Sequence, residues 1–471
     1  MSTDSTLKQP LMKKPLSVFS LVMINVIAID NLRTLPFSAE FGLGLVGIYA
    51  LAAICFLVPV GLVSAELATT WPSQGGLYVW IRTAFGAHWG LFIIWLQWIY
   101  NVVWYPTALA FVMGTIGYII HPAWMQDKSL FLLCIVAMFW LATFANCFGM
   151  KISGALSTIG ALVGTLIPMG LIIALAAIWL AHGHPCHIQW SWQSLWPTSA
   201  IQSHWPFLVE VIFGLVGLEM SAMHADQVHH PQSAYPKAIA WSIIIIFTTL
   251  VLASLGLAMV IPHNQLNVIT GISQALTVFL TQYHLAHLHP LLSALIVIGG
   301  LGGVAAWIIG PTKGLLIAAK DGLAPQALAK TNRHGVPTRI LLLQALLFTL
   351  FASFYIWMPD LQSAYILLTA MTTQLSLLVY VGLFLAAWSL RTSHAKQHRP
   401  YRVSKGNFGL KSCCLLGLIT CLTVIALGFI PPQEYVSVKA QSHYIIILVL
   451  GMLGLCLPPL IMSRLSHKSA A

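Results

Sequence analysis

Two short stretches of this chain set ionisable residues beside residues that break helices, both deep inside apolar sequence. The first runs Ile27-Ala28-Ile29-Asp30-Asn31-Leu32-Arg33-Thr34-Leu35-Pro36, with an acid, an amide and a base close together and a proline behind them. Proline lacks an N–H and pushes the residue before it away from helical geometry. The second, Phe213-Gly214-Leu215-Val216-Gly217-Leu218-Glu219, places two glycines ahead of an acid. Backbone that unwinds in an apolar setting offers free N–H groups to a carboxylate and free C=O groups to an ammonium. A zwitterionic amino acid presents that same pair of charges. Glu219, a carboxyl among apolar residues, is also the best placed group to carry a proton. Plainer readings stay open. Each break alone can be a kink or a close-packing site, and Glu219 can be a hydrogen-bonded tie between helices. Arg33 can contact substrate, or pair with Asp30 on one helical face or with Glu40.

The elements that must position these residues follow from composition. Of 471 residues 58% are hydrophobic and only 7% charged, and the mean hydropathy is +0.86. A soluble domain needs about 25% charged residues for its polar shell, so a soluble enzyme, a disordered chain and a disulfide scaffold are excluded. A membrane span needs about 20 mainly apolar residues. Twelve stretches qualify: 16–41, 43–70, 86–120, 129–148, 152–181, 205–226, 238–262, 290–312, 338–358, 363–390, 410–430 and 443–463. They read as helices, because a segment in lipid must satisfy its backbone hydrogen bonds internally. The runs from Ile243 to Leu257 and from Tyr444 to Leu457 do not alternate as barrel strands would. The two breaks fall in the first and sixth spans, five apart, and matching interruptions in two halves are the signature of an inverted repeat.

With the N-terminus placed in the cytoplasm, nineteen of the 22 basic residues fall on that side, Lys128 and Lys439 fall outside, and Arg33 lies within the first span. That asymmetry sets orientation, with both termini inside. The net charge of +11 therefore reports topology rather than nucleic-acid binding. The apolar stretch after the polar first 15 residues is too long for a signal peptide and lacks a small-residue cleavage site, so it stays as the first helix. The eight cysteines show no pairing pattern. His182, His184, His187, His263, His284, His287 and His289 crowd the outer loops. They read as loop composition ahead of acid sensing, and no metal is assigned, because His182-x-His184-x-x-His187 lacks a supporting acid. Trp190, Trp192, Trp196 and Trp205 read as interface anchors. Gln97, Trp98, Asn101 and Tyr105 fit a pocket or helix packing equally well. There is no nucleophile–base pair at depth, so no enzyme activity and no cofactor are expected.

The stretch Glu66-Leu67-Ala68-Thr69-Thr70-Trp71-Pro72-Ser73-Gln74-Gly75-Gly76-Leu77-Tyr78-Val79-Trp80, with Ala84-Phe85-Gly86, resembles the signature that follows the second helix in the amino acid–polyamine–organocation superfamily of transporters. Lys320-Asp321-Gly322-Leu323-Ala324-Pro325 resembles its counterpart after the eighth. Four further segments are similar to the bacterial glutamate/γ-aminobutyrate antiporter family: Ala222 to Asp226 with Pro231 and Tyr235-Pro236, Ala258 to Pro262, Ala306 to Pro311, and Gly335 to Pro337.

The resemblance, over residues 15 to 463, implies an all-α polytopic protein with helices 1–5 and 6–10 as an inverted repeat and helices 11 and 12 peripheral. The implied divisions are a tail 1–15, a first repeat 16–203, a second repeat 204–390, a loop 391–409, helices 11–12 over 410–463 and a tail 464–471. It implies an exchanger of amino acids or their decarboxylation products in the bacterial inner membrane, working as a monomer or homodimer. A proton-coupled uptake permease and a non-transporting amino acid sensor are the alternatives. By position, Ile29, Asp30 and Asn31 would hold the substrate backbone, with Phe213, Gly214 and Gly217 opposite and Phe213 as an aromatic lid. Glu219 would be the gating or proton-linked glutamate, and Trp307 and Tyr380 would line the pocket.

The chain departs from that antiporter in having Gly303 for an acid, Ser376 for a tyrosine and Asn31-Leu32-Arg33 for aromatics, so specificity for glutamate does not carry over. The antiporter's long plugging tail has no counterpart after helix 12. Helix 8, from Gly299 to Ala306, has no hydroxyl for sodium, and Thr158 stands where proton-coupled relatives have a lysine.

Overall fold

The computed structural model describes residues 16–72, 76–148, 160, 162–196, 205–221, 228, 231–432 and 438–468. Among them there are helices and turns but no strand. The first span breaks where the sequence reading puts it. Helix α1 (Val18–Ile29) stops, and Asp30 (φ −62°, ψ 114°) and Asn31 (φ −140°, ψ 123°) run extended. A short turn then leads into α2 (Leu35–Ala39), and the two halves are bent by 42°. Pro36 sits in the first turn of α2, where its missing N–H does no harm. The unwinding itself centres on Asp30 and Asn31, whose side chain caps the next turn by accepting the Arg33 N–H at 2.9 Å.

Ten further helices are long and apolar enough to span a membrane: α3 (Gly42–Thr70), α5 (Ala87–Ile120), α6 (Lys128–Cys147), α7 (Leu162–Ala181), α9 (Gln232–Val260), α11 (Ala286–Lys320), α12 (Thr338–Trp357), α13 (Leu361–Ser393), α14 (Phe408–Leu427) and α15 (Ala440–Met462). The bent pair makes eleven. The remaining expected span is described as α8 (Trp205–Phe213) and the turns that follow it to Ser221. Its residues 222–226 lie outside the described set, so the expected twelve is not complete among the described residues.

Two shorter helices lie between the spans. Helix α4 (Leu77–Phe85) buries Leu77, Tyr78, Trp80 and Ile81 and turns Arg82 outward. Helix α10 (Gly271–Gln282) buries Ile272, Ala275, Leu276 and Phe279, the spacing of one apolar helical face.

Burial ranks the spans. The most apolar window of α13 is 83% buried and that of α5 is 78%, against 28% for α14 and 11% for α15. The first two are therefore the centre of the bundle and the last two its periphery, with residues such as Leu453 and Ile461 turned outward. The glycine run of α11 has a packing reason that the hydroxyl argument missed. A Cβ on Gly299 would lie 2.5 Å from the Gly164 backbone, and one on Gly164 would lie 2.3 Å from Gly299. Helices α7 and α11 cross there at backbone contact, which only glycine permits.

Candidate functional site

The second break forms at the end of α8. The Gly214 N–H makes the last helical bond, to the Glu210 carbonyl at 2.8 Å. Leu215 and Val216 then bond back to Ile212 and Phe213 in tighter turns, at 3.1 and 3.0 Å. Gly217 follows at φ +126°, a conformation an L side chain rarely adopts. The two broken segments pack against each other. A Cβ on Gly217 would meet Ile29 at 3.4 Å and Ala28 at 3.5 Å, and one on Gly214 would meet Thr34 at 3.5 Å.

Tyr380, on α13, joins the pieces. Its hydroxyl accepts the Gly217 N–H at 2.9 Å and donates to Glu219 Oε2 at 2.5 Å. Phe56 holds the ring edge-on at 5.1 Å. Tyr380 and Glu219 are 2% and 4% exposed, so the unwound segment and the acid are tied by one buried hydroxyl. Tyr100, on α5, lies within electrostatic reach of Glu219. One turn on, the Trp104 ring stands 6.4 Å from that of Trp307 on α11. Pro311 cannot supply the N–H that would bond the Trp307 carbonyl, and Tyr105 donates its hydroxyl there instead, at 2.8 Å.

Helices α5 and α11 pack where a Cβ on Gly300 would meet Val112 at 2.5 Å and one on Gly314 would meet Ile94 at 2.3 Å. Between those contacts, a Cβ added at Gly303 or Gly310 meets no atom of the described residues within 4 Å, and Trp307 is half-buried. Trp307 is thus linked through Trp104 and, one turn back, Tyr100 to the surroundings of Glu219. Ser376, one turn before Tyr380, donates its hydroxyl to the Thr373 carbonyl at 2.8 Å.

The other expected site residues divide. Ile29 faces the Gly217 backbone. Asn31 is half-buried and caps its own turn. Arg33 is 1% exposed and pairs with Glu210 at 2.5 Å, a partner the sequence reading did not name. Its guanidinium also reaches the Tyr365 hydroxyl at 3.4 Å and lies 5.7 Å from the Phe213 ring centre and 5.8 Å from that of Tyr365. Phe213 thus serves Arg33 as a cation–π floor. Asp30 turns the other way, to Thr249 on α9. Thr158 lies outside the described residues.

Sequence reasoning missed Glu210, Tyr100 and Trp104. Glu210 stands in a plain apolar run with no breaker beside it. Tyr100 and Trp104 share a face at helical spacing, a signal that could have been chosen over their neighbours. Trp98 donates to Gln344 at 2.9 Å and Asn101 to the Gln97 carbonyl at 2.7 Å, which are packing contacts.

A family model described as amino acid permease matches residues 14–453. An uncharacterized transporter of Legionella pneumophila is 45% identical, over 90% of this chain and 91% of its own length. A glutamate/gamma-aminobutyrate antiporter of Lactococcus lactis is 25% identical over 95% and 90%. A probable agmatine/putrescine antiporter of the same species is 24% identical over 81% and 80%. With its broken first span and its polytopic helical bundle, the chain belongs to the amino acid permease family.

Proposed function

We propose that this protein exchanges amino acids, or the amines made from them by decarboxylation, by alternating access around the two broken spans. It would do so in a bacterial inner membrane, with both termini and the basic loops in the cytoplasm. The observation that carries the reading is the Tyr380 hydroxyl bridging Gly217 N–H and the Glu219 carboxylate at the break of the sixth span. A substrate carboxylate that takes the Gly217 N–H displaces that hydroxyl, and the bond from Tyr380 to Glu219 must then adjust. Occupancy and the state of the acid are coupled through one atom. The names of the Lactococcus lactis relatives, a glutamate/gamma-aminobutyrate antiporter and a probable agmatine/putrescine antiporter, support exchange as the transport mode.

The test uses purified protein in liposomes loaded, or not, with a mixture of amino acids and amines. Uptake of labelled glutamate, γ-aminobutyrate, agmatine and neutral amino acids is followed at acidic and neutral pH. Uptake that requires internal substrate supports exchange, and competition then names the pair. Uptake into empty liposomes under a proton gradient replaces exchange with a permease. Binding without movement would support the sensor. Gly217→Val should abolish substrate binding in any of these modes, because a branched residue at φ +126° cannot hold the unwound turn.

A further inference from the structure

Neighbouring residues at the break of the first span contact different elements. Ile29 lies against Gly217, on the side of Tyr380 and Glu219. The Asp30 carboxylate points to α9, where Thr249 Oγ1 lies 3.1 and 3.0 Å from its two oxygens. We propose that Asp30 and Thr249 form a proton-binding site, separate from the substrate face, that takes up and releases a proton during transport. The proposal rests on the transport reading above.

The geometry accommodates both protonation states. A hydroxyl has one proton to donate and can also accept. Thr249 Oγ1 lies 2.8 Å from the Ile245 carbonyl as well as beside the carboxylate. With Asp30 protonated, its O–H donates to Thr249 and Thr249 donates to Ile245. With Asp30 ionised, the Thr249 hydroxyl turns to donate to the carboxylate. Only a hydroxyl rotation separates the two, so a proton enters or leaves without moving a helix.

The surroundings give the ion little other support. Asp30 is 4% exposed, and among the described residues Thr249 is the side chain that bonds it. A buried carboxylate without a counter-charge is expensive, and a proton removes that charge. The charges nearby are engaged elsewhere. Arg33 faces Glu210, and Glu219 faces Tyr380. Tyr49, from α3, lies within electrostatic reach of Asp30, with its hydroxyl 2.9 Å from Ser38. From α9 the facing group is the neutral Thr249.

Infrared difference spectroscopy of the purified protein across a pH titration tests the site without transport. A protonated-carboxyl stretching band should be present at acidic pH and lost on raising it. The band should vanish in Asp30→Asn, shift its midpoint in Thr249→Val, and return to its place in Thr249→Ser. A band that survives Asp30→Asn unchanged overturns the proposal and assigns the proton to Glu219 or Glu210. In liposomes with an internal pH dye, Thr249→Val should keep exchange of labelled substrate while shifting the pH dependence of its proton movement, and Thr249→Ser should restore it. An unchanged pH profile in an active Asp30→Asn variant overturns it too. A wild type that moves no substrate would refute the transport reading instead, and the infrared band would still judge the site.

Discussion

Two buried arginine–glutamate sites lie in different parts of the bundle, and their surroundings differ in kind. Glu66, at the end of α3, binds Arg391 and Arg399 through one oxygen, and its other oxygen accepts the Val403 N–H at 2.9 Å. Arg391 donates further to the Ser404 and Gly406 carbonyls and to Asn407, and Arg399 to the Leu390, His394 and Gln397 carbonyls. Trp71 lies beneath Arg399, with its ring centre 5.7 Å away. Around Arg33 and Glu210, by contrast, Arg33 Nε and Glu210 Oε2 have no partner among the described residues. The Glu66 cluster is a saturated staple that fixes the 391–409 loop to α3 and α13. The Arg33 pair joins α8 to the turn after the first break, and it leaves hydrogen-bonding capacity in reserve. Satisfaction of the remaining polar atoms, rather than burial of the ions, separates the staple from the reserve pair.

The largest effect should come from breaking the staple. Glu66→Ala strands two buried guanidinium groups and should destabilise the protein by about 3–5 kcal/mol, read as a lower thermal midpoint in detergent or as failure to accumulate. Glu66→Ala at wild-type stability would dissolve the distinction. The next effect lies at the reserve pair. Arg33→Ala and Glu210→Ala should each reduce exchange strongly, and the double variant should recover part of the stability either single change loses. A coupling energy of about 1–3 kcal/mol is expected, because each single change leaves an unpaired ion. Substrate loss also discriminates roles. If Arg33 touches substrate, Arg33→Ala weakens ligands with an extra carboxylate most, whereas a hinge contact weakens all ligands equally.

What the sequence revealed was local. Asp30-Asn31 and Gly214–Gly217 break where their residue types say they should, because backbone freedom and capping are decided within a few positions. Span ends fell within a few residues for α3, α5 and α6, where apolar runs stop at polar residues. The helix α11 reaches Lys320, past the expected 312, because Pro311 is tolerated once Tyr105 bonds the freed carbonyl. Partner choice was not legible. Asp30 and Arg33 are three apart and looked like a pair, yet one bonds Thr249 and the other Glu210, both about two hundred positions away. Arg391 and Arg399 counted toward orientation, while their burial against Glu66 depends on a loop fold that no periodicity encodes.

A smaller effect should follow at the bridge between the broken segment and its acid. Tyr380→Phe removes one hydroxyl that serves both Gly217 and Glu219, with the ring still held by Phe56. A hydrogen bond to a charged group contributes about 1.5–3 kcal/mol, so exchange should fall by about ten- to a hundredfold while the thermal midpoint changes little. An equal loss of stability would make Tyr380 part of the staple class instead.

The smallest effect is expected at a third ion pair, which tests whether burial matters at all in this comparison. Arg82 on α4 meets Asp321, just past the end of α11, at 2.5 Å, and the Tyr78 hydroxyl donates to the same oxygen at 2.8 Å. The geometry is as close as that of Arg33 and Glu210, but the two side chains are 48% and 33% exposed. Water solvates either partner when the other is removed, so Asp321→Asn should change stability by no more than about 1 kcal/mol. Raising the salt concentration should shrink even that difference, since exposed charges are screened. A loss as large as that of Glu66→Ala would show that what α4 and α11 hold together, rather than the exposure of the ions, sets the worth of a pair in this bundle.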